Sequence, residues 1–120
     1  MGITICQEHG RQQIGFASPR LQRQAELGEA GDDAPLLIGL KWCDFWWPCP
    51  VDFDFFTENG MHAPASGVLI IDDEDRSEEL LQKMVPACTK CLLKLLTRRA
   101  SKDILNEFIN LDSRSASLTG

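Results

Sequence analysis

The chain has 120 residues, of which 43% are hydrophobic and 25% charged, and its net charge at pH 7 is −6. These values indicate one ordinary globular domain, and the negative charge disfavours general binding to nucleic acids. No apolar run reaches the roughly 20 residues of a membrane helix, and no leader-like pattern opens the chain, so we expect a cytoplasmic protein without membrane contacts.

The N-terminal region is predicted to form a hairpin followed by a short helix. Residues 2–6 and 12–17 are predicted strands, and Gly10 permits the tight backbone of the turn between them. Ser18-Pro19 is typical of a helix start, with serine as N-cap and proline in the first helical position. Gly28 is expected to end that helix.

The middle of the chain is predicted to supply three strands. Residues 36–42 are predicted to form a central strand, one face of which carries Leu36, Ile38, Leu40 and Trp42. Residues 51–55 alternate between apolar and acidic, which is typical of a half-buried strand. Residues 47–50 contain two prolines and are predicted to be a turn or an irregular edge. Residues 67–72 are predicted to form a well-buried strand.

The last third is predicted to be helical. Asp75-Arg76-Ser77-Glu78 resembles a capping box and is expected to start a helix. Pro86 is expected to end that helix. A second helix begins near Thr89. If that helix stayed straight, its later apolar residues would fall on its basic side, so we predict a break near Ser101 and a separate helix to about Leu111.

These elements predict an α+β fold with a small, mostly antiparallel sheet and three or four helices. We expect a single zinc-stabilised domain over residues 1–112 and a polar tail over residues 113–120. Cys43 and Cys49 are predicted to be reduced and partly buried. A disulfide between them, or a second metal site with His62, is the alternative.

Two cysteine-bearing clusters near opposite ends of the chain predict a metal site. Cys6 and His9 form a C-x2-H pattern, and Cys88 and Cys91 form a C-x2-C pattern. Three thiolates and one imidazole suit one tetrahedral zinc ion. Since protein ligands fill all four positions, the predicted zinc is structural and has no place for a catalytic water.

A ligand pair in a hairpin turn and a second pair opening a helix resemble the treble-clef and zinc-ribbon class of small bacterial zinc-binding proteins. The resemblance covers residues 1–18 and 86–100. It implies that one structural zinc joins the N-terminal knuckle to the C-terminal helix. The separation of His9 from Cys88, 88 − 9 = 79 positions, is far longer than the spacer of a minimal finger.

Enzymatic interpretations find less support. The C-x2-C pattern also resembles a thioredoxin-type redox motif, but it follows a predicted helix and Pro86 rather than a strand. Nucleobase deaminases carry H-x-E, whereas proline stands two residues after His62. A cysteine hydrolase built on Cys43 or Cys49 has no supporting pattern. We therefore expect no enzymatic activity.

All three tryptophans lie in residues 42–47. Trp46 and Trp47 are adjacent, so a regular strand cannot turn both inward, and one is expected to be exposed or covered by a partner. Simple core packing is the alternative. Neighbouring acids would attract a basic partner. The predicted partner-binding residues are Trp42, Phe45, Trp46, Trp47, Asp52 and Asp54.

Charge is divided unevenly along the chain. Residues 44–79 contain ten acids and one base, and residues 80–102 contain six bases and no acid. We expect a non-enzymatic protein-interaction module of the immunity or adaptor type, whose unidentified partner is basic. The first alternative is a nucleic-acid-binding zinc protein that uses the basic helix stripe of Lys90, Lys94, Arg98 and Lys102. The second alternative is a thiol-disulfide redox protein.

Overall fold

The computed structural model describes the backbone of residues 3–6, 10–29, 31 and 34–119, and the side chains of residues 15–29, 31 and 34–111. This part of the chain has an α+β fold, as the sequence predicts, with five helices rather than three or four. The strands are β1 (Ile3–Cys6), β2 (Gly10–Ala17), β3 (Leu36–Trp42), β4 (Phe45–Val51), β5 (Val68–Ile71) and β6 (Val85–Cys88). The helices are α1 (Pro19–Glu26), α2 (Phe53–Glu58), α3 (Glu74–Leu81), α4 (Thr89–Arg99) and α5 (Lys102–Thr119).

The strands form two small sheets. The first sheet has the order β1-β2-β6, and β2 pairs antiparallel with both neighbours. The second sheet has the order β4-β3-β5, with β4 antiparallel and β5 parallel to the central strand β3. The first sheet brings the N-terminal hairpin next to the segment that opens α4, although these segments lie far apart in sequence.

Of the two alternatives predicted for residues 47–50, the turn is wrong, because these residues belong to β4, which is an edge strand of the second sheet. Pro48 pairs with Gly39 and Pro50 pairs with Leu37 across the β3–β4 ladder. The two prolines occupy alternate positions of an edge strand, so the N–H groups they lack fall on the side away from β3. The hairpin turn lies earlier, at Cys43-Asp44, whose φ values of 55° and 65° are those of a type I′ turn.

The prediction of a strand over residues 51–55 is also wrong. Asp52 has an extended backbone and is the N-cap of α2, and Asp54 lies in the first turn, where negative charge is favoured. Phe55 and Phe56 are buried, whereas Phe53 is 59% exposed. The alternation of apolar and acidic residues over five positions is therefore compatible with a short helix as well as with a strand. In this helix the buried residues are the adjacent Phe55 and Phe56.

The second sheet is covered on both faces by separate hydrophobic cores. One core lies between this sheet and helices α4 and α5, and the other lies beneath α2 and α3. Adjacent residues of β3 point into different cores, as the alternation of a strand requires. The first core includes Leu37, Leu92, Leu96, Ile104, Phe108 and Leu111. The second core includes Ile38, Leu40, Val51, Phe55, Phe56 and Leu80.

The predicted break between the last two helices is confirmed. Helix α4 ends at Arg99, and the Ser101 hydroxyl accepts a hydrogen bond from the Ile104 N–H at 3.3 Å. This change of direction lets Ile104 and Phe108 reach the first core. Helix α5 continues past its predicted end to Thr119. Among the helices described, none combines the length and apolar character needed to cross a membrane.

Gly60 and Gly67 have similar positive φ angles but differ in how closely they are packed, so substitutions at the two positions distinguish backbone strain from overpacking. Gly67 has φ of +77°, and a Cβ there would lie 2.8 Å from Ile104 Cδ1. Gly60 has φ of +69°, and no heavy atom beyond its adjacent residues lies within 4 Å of such a Cβ. We expect Gly60→Ala to lower the free energy of unfolding by about 1 kcal/mol through strain alone. Gly67→Ala should cost about 2–4 kcal/mol because overpacking adds to the strain. Urea denaturation measures both, and equal losses would contradict this packing.

Candidate functional site

Cys88 and Cys91 lie side by side where β6 meets α4. Cys88 is the N-cap residue of α4, and Cys91 lies in its first turn. Cys88 is fully buried and Cys91 is 2% exposed, and together they form a small cluster beneath Ala25 of α1. The Cys88 N–H donates a hydrogen bond to Glu26 Oε1 at 2.8 Å. Two of the four predicted zinc ligands are therefore adjacent and shielded from solvent.

The other two predicted ligands are on the N-terminal hairpin. Cys6 ends β1, but its side chain and the whole of His9 lie outside the described residues. Cys6 pairs with Gly10 of β2, and Cys88 pairs with Ile14, which is 14 − 10 = 4 positions along the same strand. Four extended residues span about 13 Å. Since Zn–S bonds are about 2.3 Å long, sharing one ion requires the hairpin to curl over the start of α4.

The donor chemistry of the cysteine pair fits zinc. The N-terminal end of α4 carries a partial positive charge, which stabilises thiolates in the first turn of a helix. Within the described residues, no group of three or more histidine, cysteine, aspartate or glutamate side chains is placed to hold a metal ion. A four-ligand site therefore needs the side chains of Cys6 and His9, and it stays a prediction.

The structure changes one premise of the redox alternative. A strand, β6, precedes the C-x2-C pair, whereas the sequence predicts a helix ending at Pro86 there. Helix α3 ends earlier, at Leu81, and Pro86 pairs with Phe16 within the first sheet. Strand, cysteine pair and helix thus follow one another as in thioredoxin-type motifs. Burial of both sulfur atoms nevertheless disfavours redox exchange, because a partner disulfide must reach the attacking thiolate.

Cys43 and Cys49 have different environments, although both are predicted to be partly buried. Cys43 is exposed in the β3–β4 turn, and Cys49 is fully buried in β4. Both carry thiols rather than a disulfide. The Cys49 Sγ donates a hydrogen bond to the Trp47 carbonyl at 3.4 Å. Burial raises the pKa of the Cys49 thiol well above its usual range, so this thiol is chemically quiet at neutral pH.

Trp46 and Trp47 lie on opposite faces of β4, and the chain itself covers part of each. Trp46 packs against the first core and Trp47 against the second. The Trp47 ring meets Phe16 edge-on, with 5.6 Å between centroids, and its Nε1–H donates to the Trp42 carbonyl at 3.2 Å. Trp42 and Phe45 are also half-buried. Neither tryptophan is therefore fully exposed or fully buried.

Two of the acids predicted to rim the tryptophans, Asp52 and Asp54, pair with Arg20 of α1. Asp52 is 5% exposed and lies 3.6 Å from Arg20 Nη1. Asp54 is exposed and accepts a hydrogen bond from the same Nη1 at 2.8 Å. Arg20 therefore offsets part of the negative charge that was expected to attract a partner. The role of this aromatic patch in binding stays a prediction.

A second candidate surface, absent from the sequence-based expectations, is an open groove between β5 and α5. Its volume is about 600 Å³, and it is lined by Ser66, Val68, Ile70, Asp103, Asn106 and Glu107. β5 is the outer strand of the second sheet, and Ile70 is 48% exposed. The sequence signals for this groove are the continuous apolar run of β5 and two acids one helical turn apart on α5.

The uneven charge of the sequence is carried onto the surface by α3 and α4. Asp73, rather than Asp75, is the N-cap of α3, and its carboxylate accepts from the Asp75 N–H at 3.0 Å. We call the exposed acids of this segment the α3 acidic surface: Asp72, Asp73, Glu74, Asp75, Glu78 and Glu79. All four residues of the basic stripe, Lys90, Lys94, Arg98 and Lys102, are also exposed.

No protein-family model matches the sequence, and no curated protein or solved structure is significantly similar to it.

Proposed function

We propose that this protein is a non-catalytic interaction module that binds a basic partner protein through its acidic side. The α3 acidic surface is the observation that carries the proposal. Arg76 and Lys83 both pair with Glu79, at 2.7 Å and 3.9 Å. The other five carboxylates of this surface take part in none of the described ion pairs, so their negative charge is not offset by a paired base. Such a field accelerates encounter with a basic surface and disfavours acidic competitors.

In this proposal one structural zinc ion holds the N-terminal hairpin against the start of α4. Cys6, His9, Cys88 and Cys91 are its ligands. The buried pair Cys88 and Cys91 supports this assignment, as does the sheet that places the hairpin beside β6. A reducing compartment such as the cytoplasm suits both zinc thiolates and cysteines without disulfides. An immunity or adaptor protein that neutralises a basic target has this combination of size and charge.

The binding test compares charge reversal on two helices of the full-length protein. The variant Glu74→Lys/Asp75→Lys/Glu78→Lys leaves the Asp73 cap and the Glu79 ion pairs intact. Partners captured from the source cells are purified, and their affinities are measured by calorimetry. We expect a basic partner whose affinity falls at least about tenfold in this variant, because complementary charge is lost. The control Lys90→Glu/Lys94→Glu should bind it at least as well as the wild type.

Two results would contradict the proposal. One is the lack of any saturable protein partner. The other is a partner whose affinity is unchanged by reversal of the α3 acidic surface.

Exposure of the whole basic stripe favours nucleic-acid binding as the second candidate function. Phosphate contacts give an affinity that falls steeply with salt. If this candidate is correct, a DNA or RNA duplex binds at low salt and Lys90→Glu/Lys94→Glu abolishes the binding. Failure of heparin and duplex columns to retain the wild type at low salt would remove this candidate and leave the stripe as a solvated helix face.

A further inference from the structure

We infer that the groove between β5 and α5 binds an extended basic segment of the partner, which joins the second sheet as an added strand beside β5. This inference rests on the proposed function, since it names the contact by which the module holds its partner. It concerns a surface separate from the α3 acidic surface. The two can therefore be tested by different variants.

The open side of β5 presents backbone groups that an added strand can use. The Leu37 N–H donates to the Gly67 carbonyl at 2.9 Å, which fixes the phase of the parallel β3–β5 ladder. In that phase Leu69 directs its N–H and C=O towards β3, and the next residue along, Ile70, directs both groups outward. An exposed strand edge of this kind is a template for pairing with another chain.

The side chain of Ser66 makes hydrogen bonds to β5 of the kind that an added strand would make. The Ser66 hydroxyl accepts from the Val68 N–H at 3.3 Å and donates to the Val68 carbonyl at 3.4 Å. Both bonds are long, and they satisfy outward groups of the same edge that Ile70 extends. An incoming strand would replace this hydroxyl with backbone groups of its own. The edge is thus protected weakly enough to be exchanged.

The groove chemistry specifies which segment fits. Val68 and Ile70 give an apolar floor on the face of β5 that looks towards α5, because both lie over the β3 residues that face the first core. Asp103 and Glu107 stand one helical turn apart on the opposite wall. Alternate side chains of an added strand would point at that wall. Lysine or arginine at those positions would lay an aliphatic stem on the floor and pair with a carboxylate.

A second copy of this chain is a poor occupant, because it would bring another acidic groove to the first. Its net charge of −6 adds to that repulsion. β5 is four residues long, so a complementary strand of similar length is sufficient. A basic extended segment is therefore the occupant that the charges and the strand edge both favour.

Synthetic peptides test this inference with the full-length protein. The probe is an acetylated, fluorescein-labelled octapeptide of alternating lysine and valine. We expect saturable 1:1 binding by fluorescence polarisation, at least tenfold tighter than that of the matched glutamate–valine peptide. The peptide amides that face β5 belong to the lysines if the added strand runs antiparallel to β5 and to the valines if it runs parallel. N-methylation of one of these two sets should abolish binding. The amide NMR signals of Val68–Ile71 should shift more than those of the α3 acidic surface.

Two protein variants locate the peptide. Asp103→Lys/Glu107→Lys should weaken peptide binding at least tenfold, whereas Glu74→Lys/Glu78→Lys changes the total charge equally and should reduce binding less than threefold. Ile70→Pro removes the outward N–H without touching the ladder to β3, and it should also weaken binding at least tenfold. Should that variant misfold, the N-methylated peptides test the same strand pairing, because they remove the donors on the peptide side.

The outcomes separate this inference from the function on which it rests. Equal binding of the two peptides, or binding unaffected by both groove variants, would overturn the groove assignment. If the purified partner still binds the groove variants and loses affinity only on reversal of the α3 acidic surface, the groove inference fails and the proposed function stands. If no partner and no peptide binds, both fail.

Discussion

Removal of zinc by a chelator is expected to lower the free energy of unfolding by about 3 kcal/mol or more, and the melting temperature by about 10 °C or more. The reason is that a metal site formed only in the folded chain contributes its binding energy to folding. In this fold the ion would close the first sheet by joining the β1–β2 hairpin to α4. Calorimetric unfolding with and without chelator, and after zinc is returned, measures the effect.

Two buried cysteines provide the matched control for this prediction. Cys88 and Cys49 are both fully buried, but only Cys88 belongs to the predicted ligand set. Serine at either position should destabilise the fold, since a hydroxyl replaces a buried thiol. Cys49→Ser should keep its response to chelator, whereas Cys88→Ser should lose it. A wild-type melting temperature that ignores the chelator would contradict the structural role of zinc.

Phe108→Ala is expected to lower the free energy of unfolding by about 3–5 kcal/mol. Phe108 is 2% exposed in the first core, where it helps to hold α5 against the second sheet. Its removal leaves a cavity at the contact that positions one wall of the β5–α5 groove. Ile109→Ala, at the next residue, should cost less than about 1 kcal/mol because Ile109 is 45% exposed. Urea denaturation measures both variants, and similar losses would show that α5 is not packed as described.

Much of the fold was predictable because its signals are local. Ser18-Pro19 starts α1, and the conflict between apolar and basic faces marks the break near Ser101. These features depend on residues within one or two helical turns. Strand β4 was missed because the tolerance of Pro48 and Pro50 depends on β4 being an edge strand. That position in the sheet is set by long-range pairing, which no local pattern reports.

In the candidate sites, too, the features set by local sequence were predictable and those set by long-range contacts were not. The C-x2-C spacing was enough to predict that Cys88 and Cys91 lie together, and the alternation of a strand was enough to place Trp46 and Trp47 on opposite faces. Coverage of both faces depends on α5 and on Phe16, which are distant in sequence. Arg20 pairs with both Asp52 and Asp54, and Arg20 and Asp54 lie 34 positions apart in the sequence. Such compensation is visible only in the folded chain.

The groove was missed for a related reason. Its two walls come from β5 and α5, and neither element is unusual in sequence. The break near Ser101 places α5 beside the edge of the sheet. Only this placement brings Asp103 and Glu107 next to the exposed Ile70 to form the groove. The proposed partner contact therefore moves from the tryptophan-rich hairpin, which the chain partly covers, to a more open surface.

The clasp between the two ends of the chain is tested most directly by X-ray absorption at the zinc edge of the purified protein. We expect one zinc per chain with three sulfur ligands at about 2.3 Å and one nitrogen at about 2.0–2.1 Å, and we expect the nitrogen signal to be lost in His9→Ala. A protein that binds no zinc, or a spectrum with two sulfur ligands that is unchanged in Cys6→Ser, would contradict it.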